Sequence, residues 1–125
     1  MNKTQFEKII KATVEGLTDY EKKVVSHFEF NYKTMIENCD DNANFVSIDW
    51  VAEAENISKK ILRGVFSSLI KKGLIFDGEG AIGGVDDDVF YLSYKGIAVY
   101  FYIDDKKDFD SVTDEDIKEY FNNID

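Results

Sequence analysis

The stretch between Ser58 and Leu92 constrains the chain most. It opens on a serine able to cap a helix, runs through apolar residues at helical spacing and stops at Gly73. Leu74, Ile75 and Phe76 then read as a strand, and Val89, Phe90, Tyr91 and Leu92 as its return. Between them, Gly78, Gly80, Gly83 and Gly84 read as a flexible hairpin tip. A helix that feeds directly into a tight hairpin leaves few architectures open.

The residues before it narrow the choice. Thr4 to Glu7 has the spacing of a capping box, with Phe6, Ile9, Ile10, Thr13, Val14 and Leu17 behind it and Gly16 as a stop. Thr18 to Glu21 repeats the box, and a helical pattern of Val24, Val25, Phe28, Tyr32, Met35 and Ile36 continues to about Asn38. Asp40 to Asn44 is a loop by composition. As a calcium loop it fails, because Phe45 stands where glycine is needed and Val51 where glutamate is needed. Ser47 caps a short helix from Ile48 to about Ala54, and Glu55, Asn56 and Ile57 form a turn. Downstream, Ser93 can cap a further helix to Phe101, though residues 99–103 also read as an extended strand and the period does not decide. Residues 104–110 form a charged linker, and Thr113 caps a last helix with Ile117, Tyr120, Phe121 and Ile124 on one face.

The expected fold is mainly α with a small β-hairpin: a winged helix-turn-helix with extra N- and C-terminal helices. Residues 1–125 make one domain, with the winged-helix core at 17–101, the N-terminal helix at 1–16, and an acidic linker and helix at 104–125. A length of 125 residues and a hydrophobic fraction of 44% suit a single core.

Four segments, in this order, resemble winged-helix regulators of the multiple-antibiotic-resistance (MarR-like) type. Residues 17–25 look like that family's opening helix and residues 50–54 like its supporting helix. Residues 65–75, ending Lys72-Gly73-Leu74-Ile75, are similar to its recognition helix and exit. Residues 91–96 are similar to the segment that follows its wing. The resemblance implies an intracellular transcription regulator that contacts duplex DNA through helix 58–72, and a homodimer through the terminal helices.

The chemistry of that helix can be read independently. At about 100° per residue, Lys60, Arg63, Gly64, Ser67 and Lys71 share one arc, and Ile61, Leu62, Val65, Phe66, Leu69 and Ile70 fall opposite. Residues 57–76 hold five bases and no acid. Lys and Arg meet phosphates and guanine edges, and serine hydroxyls reach either. The expected DNA-binding residues are Ser58, Lys59, Lys60, Arg63, Ser67 and Lys71. Exposed lysines also serve as plain solvating groups, and Lys71 and Lys72 suit a helix C-terminus through its dipole.

The charge of the whole chain opposes this use. Net charge is −10, and the wing contributes Asp77, Glu79, Asp86, Asp87 and Asp88 with no base. A wing beside phosphates would meet repulsion. The alternative reading is therefore an acidic winged-helix interaction module, a phage or mobile-element protein that binds and modulates a basic host nucleic-acid-binding protein through those five acids.

Other signals point to little chemistry. One cysteine, Cys39, and one histidine, His27, exclude a disulfide framework and a multi-cysteine zinc site, and both residues read as inert. Trp50 reads as core, and Tyr94, Tyr100 and Tyr102 as core packing, with the lining of a ligand pocket, as in effector-binding relatives, the alternative. No catalytic residues, metal or cofactor are expected, so the chain reads as a non-enzyme. The N-terminus lacks a signal-peptide pattern and the longest apolar run, residues 97–103, is too short to span a bilayer, so a cytoplasmic location is expected.

Overall fold

A computed structural model describes residues 1–28, 45–77, 89–103 and 109–121. They are mainly helical, with one small antiparallel sheet. The order is α1 (Lys3–Glu15), α2 (Asp19–His27), β1 (Phe45–Ser47), α3 (Ile48–Glu55), α4 (Lys59–Lys71), β2 (Ile75–Asp77), β3 (Val89–Leu92), α5 (Tyr94–Ile103), a 3-10 turn (Phe109–Ser111) and α6 (Asp114–Tyr120).

Most helix starts follow the caps read from sequence. Thr18 and Glu21 close a reciprocal capping box on α2, and Thr113 and Asp116 close one on α6. Ser47 and Ser58 each accept a backbone N–H of the first turn of α3 and α4. The first box is displaced: Asn2 caps α1 and Gln5 returns the bond, so Thr4 lies inside the helix. The second helix is shorter than its pattern suggests. Phe28 takes an extended backbone (φ −70°, ψ 131°) and ends α2 at His27. The rest of the expected helix, Cys39 and the Asp40–Asn44 stretch lie outside the described residues.

The sheet has a strand that the sequence reading missed. β3 is central, with β1 and β2 antiparallel on either side. Phe45 and Phe76 both pair with Tyr91, and Val46 pairs with Phe90. Side chains alternate across a strand. Val46, Ile75, Phe90 and Leu92 join the core, whereas Phe45, Phe76 and Tyr91 share the other face.

The run from Val99 to Ile103, ambiguous in period, is helical within an enclosed element. Gly96, Ile97, Ala98, Val99 and Phe101 of α5 are all buried, as expected of a helix apolar on every side. α1 lies along α5. Phe6 stacks on Phe109 at 5.7 Å and meets Phe121 at 5.2 Å. The expected charged linker thus contains a core residue, Phe109. Lys3 reinforces this closure, its backbone N–H donating to Asp114 at 2.8 Å. The apolar faces of both terminal helices are therefore used within the chain.

Two glycines make opposite demands. At Gly96 a Cβ would collide with the Leu74 carbonyl oxygen, whereas at Gly64 nothing lies within 4 Å. Gly96→Ala should destabilise the fold by about 2–4 kcal/mol through overpacking against backbone. Gly64→Ala should stabilise it by about 0.5–1 kcal/mol through helix propensity. Urea unfolding of the two variants checks this, and equal effects would contradict the packing.

Candidate nucleic-acid interface

α3 and α4 form a helix pair joined by a tight turn. Asn56 takes the left-handed conformation (φ 53°), which asparagine tolerates better than most residues. The Ile57 N–H donates to the Ala52 carbonyl at 3.1 Å, closing the end of α3. α4 packs inward through Leu62, Phe66 and Leu69. Phe66 meets Phe90 edge-on at 4.8 Å, which fixes the helix against the sheet. At its end Gly73 is left-handed (φ 75°). The Leu74 N–H reaches the Leu69 carbonyl and the Gly73 N–H the Ile70 carbonyl, the paired bonds of a Schellman stop.

This packing leaves one face of α4 outward. Lys60, Arg63, Gly64, Ser67 and Lys71 are all exposed. Lys60 and Lys71 lie about 16 Å apart along the axis at 1.5 Å per residue. Among the described residues, no hydrogen bond or ion pair engages the side chains of Lys60, Arg63, Ser67 or Lys71. Lysines occupy the first turn and acids do not, the reverse of what the helix dipole favours.

Three expectations about this helix change. Ser58 accepts the Ile61 N–H at 3.2 Å, so its hydroxyl serves the cap. Lys59 is held by Asp49 at 2.9 Å, which draws its charge toward α3. Ile61 and Ile70, expected in the core, are exposed at the two rims of the basic face. Of the acidic set, Asp77 is exposed at the end of β2, and Glu79, Asp86, Asp87 and Asp88 lie outside the described residues.

The placement of α4 depends on a residue whose role goes beyond its cap. Glu21 is only 2% exposed. It accepts from Lys72 Nζ at 2.7 Å, from the Thr18 N–H at 2.9 Å and from Ser68 Oγ at 3.0 Å. Lys72 also donates to the Gly16 carbonyl at 3.3 Å, so it ties the end of α4 to both the Glu21 carboxylate of α2 and the end of α1. Its helix-capping spacing was visible in sequence, but nothing in the local pattern indicates that α4 would cover it. On the other side, His27 Nε2 lies 2.9 Å from Glu55, tying α2 to α3.

Trp50 and Tyr94, expected in the core, are 57% and 39% exposed. Ile48 and Val51 fill the buried side of α3 instead. Among the described residues, no cluster of three or more His, Cys, Asp or Glu is placed to hold a metal ion, and no helix is long and apolar enough to cross a membrane. Comparison of the chain with protein-family models, curated proteins and solved structures yields no match.

Burial pushes the Glu21 carboxyl up, but Lys72, the Thr18 N–H and Ser68 outweigh it and hold the group below its ordinary value of 4.5. A carboxylate lowered on folding contributes stability above that value, and the contribution is lost as pH falls through the folded-state value. Glu21→Gln should therefore reduce unfolding free energy at neutral pH by about 1–3 kcal/mol. The gap from the parent should narrow below pH 4.5. Urea titrations across this range test it, and a gap independent of pH would refute the role.

Proposed function

We propose that this chain is a winged-helix regulator that docks on duplex DNA with the outward face of α4. The observation that carries the reading is the unengaged basic arc of Lys60, Arg63, Ser67 and Lys71 on the second helix of a tightly turned pair. A helix in that position is the one that enters the major groove in helix-turn-helix proteins. The chain order supports the assignment: the helix pair follows the edge strand β1 and precedes a hairpin whose connection, residues 78–88, would be the wing. Lys60 in the first turn adds to it: it opposes the helix dipole, a local cost that an incoming phosphate offsets.

The charge balance sets the strength of this contact. Lys60, Arg63 and Lys71 are the available cations, since Lys59 and Lys72 are held by Asp49 and Glu21. An acidic wing adds no phosphate contact, so α4 alone carries the interaction. Three neutralised phosphates give a slope of log affinity against log salt of about −3.

Titration of a labelled duplex followed by fluorescence anisotropy tests this between about 50 and 200 mM salt. The parent should show the slope of three contacts. Lys60→Ala combined with Arg63→Ala should weaken binding strongly and reduce the slope to about −1. Both substitutions are at exposed positions, so the unfolding midpoint should barely move. Unchanged affinity or slope in the double variant would remove α4 from the interface.

A further inference from the structure

A glycine in a helix interior costs stability relative to alanine, and α4 carries one at Gly64. Backbone conformation does not require it. Among the described residues the glycine at positive φ is Gly73, and Gly64 sits within the regular span of α4. Internal packing does not require it either, since a Cβ placed there meets nothing within 4 Å. Gly96 is the contrast, where a Cβ collides with the Leu74 carbonyl oxygen.

Its place on the helix is specific. At about 100° per residue, Gly64 faces away from the buried Leu62, Phe66 and Leu69. Lys60 and Lys71 fall within about 40° of the same line. One lies about 6 Å before Gly64 along the axis and the other about 10.5 Å beyond it. Arg63 and Ser67 flank it, and all five positions are exposed. The outward face of α4 thus sets long, unengaged cations around a centre of bare backbone.

That shape matters in a confined site. A B-form major groove is about 12 Å wide, and a helix with its side chains is about 10–12 Å across. The side chain at the centre of the entering face therefore limits how deep the helix sits. With none there, the backbone approaches the base edges while Lys60, Arg63 and Lys71 reach phosphates at the margins. The A-form major groove is deep and narrow, and side chains do not read it.

We infer that Gly64 seats α4 in the major groove and makes this face selective for B-form duplex over an A-form duplex of equal charge. The inference rests on the DNA contact proposed for α4, and adds its selectivity and the residue that sets it.

Fluorescence anisotropy with two labelled duplexes of one sequence, DNA carrying uracil in place of thymine and RNA, tests it at a single salt concentration. The parent should bind the DNA about tenfold more tightly than the RNA. Gly64→Ala should weaken DNA binding severalfold and Gly64→Leu about tenfold, with RNA binding unchanged in both. The unfolding midpoint of Gly64→Ala should rise, which separates weaker binding from lost structure. Lys60→Ala with Arg63→Ala should instead weaken both duplexes. Full DNA affinity in both glycine variants, with binding still dependent on Lys60 and Arg63, would overturn the role of Gly64 and leave the DNA contact standing. Equal affinity of the parent for the two duplexes, or a parallel loss of RNA binding in Gly64→Leu, would overturn the selectivity. A parent that binds neither duplex would overturn both this inference and the DNA reading beneath it.

Discussion

The carboxylate of Glu21 sits where three helices meet, and the position of α4 depends on it. Burying a charge is costly unless its lone pairs are satisfied. Here a lysine, a backbone N–H and a hydroxyl satisfy them from two directions. Removing any partner leaves the others in a site built for an anion. The interaction also fixes the helix along its length: Lys72 is anchored at one end of α4, and Phe66 packs on Phe90 nearer the middle. The outward face follows from those constraints. Once Leu62, Phe66 and Leu69 are inward, the helical period turns Lys60, Arg63, Ser67 and Lys71 to solvent.

The helices were largely legible because their ends carry local chemistry. Ser47, Ser58, Thr18 and Thr113 all cap where their spacing says they should. The displaced first cap is instructive, since Asn2 and Gln5 have the same spacing as Thr4 and Glu7, and only one box can form. β1 was not legible: three residues are too few for an alternating pattern, and the strand exists because β3 pairs with it. Trp50 could have been placed from period alone. Ile48 and Val51 define the buried side of α3, and Trp50 falls well away from both. Size and apolarity suggested core, but geometry put the ring outside. Phe109 is the reverse case, a lone aromatic in an acidic run whose burial is decided by Phe6, more than a hundred residues earlier.

The basic arc was legible as a pattern, but its effective charge was not. Five bases between Ile57 and Phe76 reduce to three unengaged cations once Asp49 holds Lys59 and Glu21 holds Lys72. Both acids come from other helices, so no window around α4 contains the information. The same two pairings separate the surfaces of the molecule. They withdraw positive charge from the α3 and α2 sides of α4 and leave it on the outward face.

The central position of β3 has a consequence for assembly. β1 and β2 do not pair with each other; each is completed only by a strand that arrives later in the chain. The helix pair is joined by a short turn, whereas the sheet must close a long loop from Phe45 to Tyr91. Until β3 joins, Phe45 and Phe76 belong to separate, unpaired segments, and the row of rings they form with Tyr91 has no existence. The row of rings is a property of the paired sheet and of neither edge strand alone.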